Sequence, residues 1–202
     1  MKILALSDRV DPRIYNDHFK ERFRDIQVVI SCGDLPEYYL DFVVTNLNVP
    51  LFFVHGNHDP SQGKKSLAGG FNLDEKLVVF KNKLIIAGLE GSLWYNGNLH
   101  QYTETEMYFK FLKLIPRLYL AKLKYGRYLD LLVTHAPPRG IHEGQDPAHL
   151  GFKVFQNIIK KYRPRFHLHG HVHLYNYNQS YQDFYYQTQV VNCYSYRVIE
   201  VD

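Results

Sequence analysis

The sequence is short of cysteine, of long apolar runs and of net charge, and each shortage excludes a class of protein. Its two cysteines, Cys32 and Cys193, sit in separate apolar segments with no pairing pattern. That argues against a disulfide framework and predicts free, buried thiols in a reducing compartment. No apolar run approaches the roughly 20 residues a membrane span needs, and Lys2 leads into a strand-like segment with no small-residue cleavage site behind it. The expectation is a cytoplasmic protein. A formal charge of +4 is too small to demand nucleic acid as a partner and leaves room for an anionic substrate. What the chain does have is apolar content at 46%, enough for a globular core, and at 202 residues one domain spanning 1–202 is expected. Its one excess is histidine, with eleven.

Short apolar, β-branched runs of strand length lie at Lys2 to Ser7, Val28 to Cys32, Leu51 to His55, Leu84 to Leu89 and Leu129 to Thr134. Segments of helical length, about Arg13 to Arg24 and Tyr38 to Leu47, separate the first three. This β-α-β-α-β alternation predicts a largely parallel sheet, whose ligands would bind beyond the carboxyl ends of its strands. After Pro60, the stretch SQGKKSLAGGFNLDE reads as a loop. Thr103 to Tyr125 is the longest helical candidate, capped by Thr103 with Glu106 at capping-box spacing and interrupted by Pro116. Its Lys110, Lys113, Arg117 and Lys124 share one face, which predicts a surface helix with its apolar side on the sheet. A second helix, about Leu150 to Tyr162, places Phe152, Phe155, Ile159 and Tyr162 in the core. From Leu174 onward the chain alternates in strand fashion, which predicts antiparallel strands closing a second sheet.

Chemistry-bearing residues punctuate the strand ends in chain order: Asp8 in SD, Asp34 in CGD, Asn57-His58-Asp59 in GNHD, His135 in THAPP, and His171 and His173 in GHVH. Each contributes hard oxygen or imidazole nitrogen donors, the ligand types of Mn²⁺, Fe or Zn²⁺ sites rather than thiolate sites. His55, His167 and His169 sit before the punctuations and read as packing or supporting residues. His142, in the loop after Pro138 with Glu143 and Asp146, is the remaining histidine best placed to touch a substrate.

This order and spacing resemble the calcineurin-like metallophosphoesterases over nearly the whole chain, Asp8 to His173. The THAPPRG to HGHVH segment further resembles the small metallophosphoesterase-domain branch. The resemblance implies an α/β fold of two packed mixed β-sheets flanked by helices, a four-layer α/β/β/α sandwich. It also implies a ligand set: Asp34 bridging two metals, Asn57, His135 and His171 completing one site, and Asp8 with His173 serving the other. His58, with Asn57, would face the substrate. The family pattern at the first motif is Asp-x-His, whereas this chain reads Asp8-Arg9-Val10, so the second ion is expected to be the weaker one, with Mn the leading candidate and Fe or Zn the others. Arg9, pointing the other way along an extended strand end, is a poor substitute unless the loop turns, whereas Asp11, just beyond, could swing into the vacancy.

The expected function is a metal-dependent phosphohydrolase, in particular a phosphodiesterase, using a metal-activated hydroxide with His58 as general acid. Its partner is a phosphate-ester substrate, nucleotides included. The alternative is a catalytically weak or inactive scaffold of the same fold that binds a protein. A nuclease is the third reading, with little support because basic and aromatic residues concentrate between Tyr102 and Tyr128, away from the motifs.

Overall fold

The computed structural model describes residues 1–60, 67–81, 83–175 and 179–201. Strands β1 (Lys2–Ser7), β2 (Val28–Ser31), β3 (Leu51–Phe53) and β4 (Phe71–Asn72) run parallel, with β13 (Ser195–Glu200) antiparallel on the other side of β1. A second sheet has the order β11-β12-β10-β9-β6-β5, from β5 (Lys76–Phe80), β6 (Leu84–Leu89), β9 (Leu131–Thr134), β10 (Phe166–His169), β11 (Gln182–Tyr185) and β12 (Thr188–Asn192). Its central pairings are parallel, and each edge is an antiparallel hairpin. Strands β7 (Ser92–Leu93) and β8 (Gln101–Tyr102) form a short parallel pair of their own.

The strands are apolar on both faces because both faces are covered. Ile3, Ala5, Val28 and Ile30 from the first sheet meet Ile86, Leu131, Val133 and Leu168 from the second in the central layer. One residue along, Leu4, Leu6 and Val29 turn outward onto Phe19 of α1 (Phe19–Arg22) and Tyr39, Leu40 and Val43 of α2 (Glu37–Leu47). On the opposite outer face, Ile85, Ala87 and Leu132 meet side chains of α3 (Glu104–Leu112), α4 (Ile115–Tyr125) and α5 (Lys153–Tyr162). The layers are therefore helix, sheet, sheet, helix. Among the described residues no helix is long and apolar enough to cross a membrane.

Several elements differ from the sequence reading. The first helix shrinks to the single turn Phe19–Arg22, because Asp11 and Asn16 accept the backbone N–H groups of Arg13 and His18 and hold the preceding segment in turns. Pro116 ends no helix; it stands in the first turn of α4, where its missing N–H costs nothing, and the long candidate divides between Leu112 and Ile115. The capping box forms as read, with the Glu106 N–H donating to Thr103 Oγ1 at 3.2 Å and the Thr103 N–H to Glu106 Oε2 at 2.8 Å. The basic face of that candidate is not simply solvated. Lys110 is buried, 2.7 Å from Asp74 and 3.4 Å from Glu75, and Lys113 also meets Glu75 at 2.7 Å. The tail splits between sheets: β11 and β12 extend the second, β12 being parallel to β10, while β13 crosses to pair with β1 from Lys2↔Glu200 to Ser7↔Ser195. Alternation predicts a strand but not its neighbour. Residues 61–66 of the loop after Pro60 lie outside the described residues; Leu67–Gly69 form a 3-10 turn leading into β4.

Candidate metal centre

The carboxyl ends of β1, β2, β3, β9 and β10 meet at one rim, and each delivers residues to it. The chain turns abruptly there. Asp8, Asp34 and His171 adopt left-handed backbone conformations with φ of 63°, 58° and 68°, each costing roughly 1–3 kcal/mol in a non-glycine residue. Close approach of the loops requires glycine: a Cβ on Gly56 would stand 2.1 Å from Asp34 Oδ1, and one on Gly170 would stand 1.8 Å from Ser7 Oγ.

Asp8, Asp34 and His135 each present an atom within 4.8 Å of the others. The orientation of His135 is fixed from behind, where Nδ1–H donates to the Cys32 carbonyl at 2.7 Å. Its Nε2 then faces oxygen alone, Asp34 Oδ2 at 3.3 Å and Asn57 Oδ1 at 3.0 Å. The Asn57 amide is turned oxygen-inward because its nitrogen donates to Tyr95 Oη at 3.2 Å. His171 joins through its backbone N–H, which donates to both Asp8 oxygens at 3.1 and 3.0 Å, and its ring lies 4.8 Å from that of His135. Its Nε2–H donates to the Ala148 carbonyl at 2.6 Å, which leaves Nδ1 as the lone-pair atom. His173 stands at the outer edge, half-exposed, with Nε2 3.9 Å from Asp8 Oδ1.

The electrostatics are those of acceptors in search of a cation. Burial, with Asp34 nearby, raises the Asp8 carboxyl to about 6. Burial also acts to raise Asp34, but His135 and the His58 N–H outweigh it and hold this carboxyl far below the ordinary range. Burial opposes charge on His135, yet Asp34, Asp8 and the Cys32 carbonyl lift its imidazole to about 9. A proton on Nε2 thus occupies the position where a divalent ion would satisfy the same oxygens. His171, lowered to about 3 chiefly by burial, is neutral and can ligate. Carboxylate, amide oxygen and neutral imidazole together suit Mn²⁺, Fe or Zn²⁺, so the residues present fit a divalent metal.

His58 is exposed at the lip, and its backbone N–H donates to Asp34 Oδ1 at 2.8 Å. The His142 ring is held within the chain: its nitrogens lie 3.0 Å from His169 Nε2 and 3.2 Å from Oδ2 of the exposed Asp183. His167 packs in the core against Thr134 Oγ1 at 2.7 Å. Asp11 does not swing in. Burial would raise its carboxyl, but hydrogen bonds from Arg13 and Ser195 dominate, pulling it to about 2 and fixing it away from the centre. The Val10 side chain packs with the helix-side core beside Leu6 and Ile14. The strand has already ended at Ser7, so the alternation that would aim residues 8 and 10 alike no longer applies.

Two supporting residues escaped the sequence reading. Asp59 Oδ2 accepts from the N–H groups of both Asp34 (2.9 Å) and Gly56 (2.8 Å), clamping two metal loops together. The GNHD string contained the signal for it. Tyr95, which orients Asn57, left none.

A family model described as calcineurin-like phosphoesterase matches residues 1–175. One solved structure, 16% identical, covers 98% of this chain and 94% of its own with a TM-score of 0.69. TT1561 of Thermus thermophilus is 14% identical over 96% of this chain and 89% of that one, with a TM-score of 0.64. Chaetomium thermophilum Vps29 covers 96% of this chain and 71% of its own at 15% identity, with a TM-score of 0.41. No curated protein sequence matches the chain. The fold is that of the first two structures, the rim carries a candidate divalent-metal site of the kind the family binds, and the chain belongs to the calcineurin-like phosphoesterase family.

Proposed function

We propose that this chain, acting as one unit over residues 1–202, is a metal-dependent phosphodiesterase. Asp34, Asn57, His135 and His171 hold one divalent ion firmly, and Asp8, Asp34 and His173 hold a second loosely. The observation that carries the reading is the convergence of Asp8, Asp34 and His135 donors within 4.8 Å beside an exposed His58. Ions bound there would supply positive charge to an anionic ester and bring the pKa of water toward 7. The remaining tasks fall to the chain. Asp34 has two oxygens with which to bridge. Asn57 contributes a neutral oxygen, so that the two carboxylates do not cancel the charge offered to phosphate. His58 gives its proton to the departing alkoxide, a contribution typically worth 10²–10⁴-fold. Unequal binding is supported by Val10, packed with the core, and by Asp11, held by Arg13 and Ser195. Mn²⁺ is the first ion to try, before Fe²⁺ and Zn²⁺.

The test is hydrolysis of an aryl phosphodiester and an aryl phosphomonoester by the purified protein, with each metal added in turn. Metal-dependent turnover favouring the diester is expected. No turnover with any metal would leave the scaffold reading in its place.

A further inference from the structure

A large groove among the described residues lies outside the metal centre. It has a volume of about 1050 Å³ and follows β13 along the side of the sandwich, where that strand is the edge of the first sheet. Ser195, at its upper end, pairs with Ser7 just before Asp8; Glu200 marks the lower end. Six extended residues give it a length of roughly 20 Å. The groove reaches the metal rim through His173, whose ring lies 4.8 Å from the Tyr194 ring and whose Nε2 is 3.9 Å from Asp8.

Its lining combines guanidinium and phenol. Arg197 lies 4.4 Å over the Tyr181 ring and Arg13 4.9 Å over the Tyr196 ring. Arg197 spends one nitrogen on the carbonyls of Tyr194 and Tyr196, while its Nε is buried with no hydrogen-bond partner among the described residues. Two carboxylates share the groove, and both are paired: Asp11 with Arg13 at 2.8 Å and Glu200 with Lys2 at 3.5 Å. Neither Arg9 nor Arg197 has a carboxylate partner among the described residues.

We propose that this groove binds an extended single-stranded oligonucleotide with one internucleotide phosphate at the metal rim. The inference rests on the phosphodiesterase reading and narrows its substrate class. Phosphates meet Arg9 and Arg197, and bases stack on the tyrosine faces, the combination by which single strands are held without sequence preference. A peptide strand would need acceptors and donors from the β13 edge but no guanidinium groups without a carboxylate partner; the charge favours the polyanion. Residues 9–13 and 181–197 are far apart in sequence, and only folding brings their basic and aromatic side chains to the motifs.

The test is fluorescence anisotropy of a labelled twelve-residue oligothymidylate with the purified protein, with Mn²⁺ and with chelator, across salt concentrations. Binding is expected to weaken with a log–log slope near −1.4, from about 0.7 per phosphate neutralised. Arg9→Ala should reduce that slope by about 0.7, and Tyr181→Ala should weaken binding by at least about fivefold. Both side chains are exposed, and thermal unfolding of each variant checks its fold. A duplex of the same sequence should bind more weakly. Absence of binding, binding indifferent to both variants, equal affinity for duplex, or a stable dimer that closes the groove would each overturn the proposal. Because binding is read without turnover, the two failures are separable. Variant-sensitive binding without aryl diester hydrolysis defeats the hydrolase reading alone; hydrolysis without oligonucleotide binding defeats the groove alone.

Discussion

Metal should enter this site by displacing a proton. In the metal-free protein His135 holds its second proton up to about 9, and Asp8 is raised to about 6. At pH 7 Asp8 is therefore mostly ionised and His135 mostly protonated, so each ion that ligates Nε2 should release close to one proton. Holding a group at pH 7 two units below its pKa corresponds to roughly 2.7 kcal/mol, a penalty of about 100-fold on apparent affinity that fades as the pH approaches 9. Apparent affinity for Mn²⁺ should thus climb about tenfold per pH unit between 7 and 8.5, more steeply below 6 where Asp8 also takes a proton. Isothermal titration calorimetry in buffers of different ionisation enthalpy counts the protons directly. The same linkage acts on metal-free stability. A raised histidine pKa stabilises the fold below the ordinary value near 6.5, and that contribution is lost as pH rises through about 9, so metal should protect most in alkaline solution. Affinity flat from pH 7 to 8.5, with no proton released, would refute the reasoning.

Other perturbations have definite outcomes. His58→Ala should lower turnover by roughly 10²-fold on a poor leaving group and much less on an activated aryl ester, with metal content unchanged, as paired kinetics and metal analysis will read. Lys110→Met should cost roughly 3–5 kcal/mol in denaturant unfolding, since it leaves Asp74 and Glu90 facing each other with their buried cation gone; a cost under 1 kcal/mol would mean that the ion pairs contribute little. Asp59→Ala frees two N–H groups that position Asp34 and Gly56, and should weaken metal binding by about 10–100-fold in equilibrium dialysis.

The sequence made the strand ends legible because five apolar runs stop, in order, at residues with a definite chemical task, which leaves few alternatives. Periodicity marked the core strands and the longer helices, but not the single turn left of the first helix or the short strands β4, β5, β7 and β8. It did not mark strand neighbours either: the alternating tail from Leu174 gave no sign that β13 would leave the second sheet for β1. Side-chain direction failed where the backbone left its regular period. Strand alternation would aim Val10 at the metals with Asp8, but the left-handed turn at Asp8 breaks that alternation and Val10 packs with the helices' core. Long-range pairing was equally silent, as with Lys110 drawn in by Asp74, or His142 by Asp183. Tyr95 orients Asn57 across 38 residues, and no local pattern marks it.

The most direct test of the central claim is anomalous diffraction from crystals of the protein grown with Mn²⁺. The account predicts a strong peak bonded to His135 Nε2, Asn57 Oδ1 and Asp34, and a weaker one, lost first on back-soaking, beside Asp8 and His173. Two peaks of equal strength that survive back-soaking together would contradict the unequal sites, and density with no peak within bonding distance of His135 Nε2 would contradict the metal centre itself.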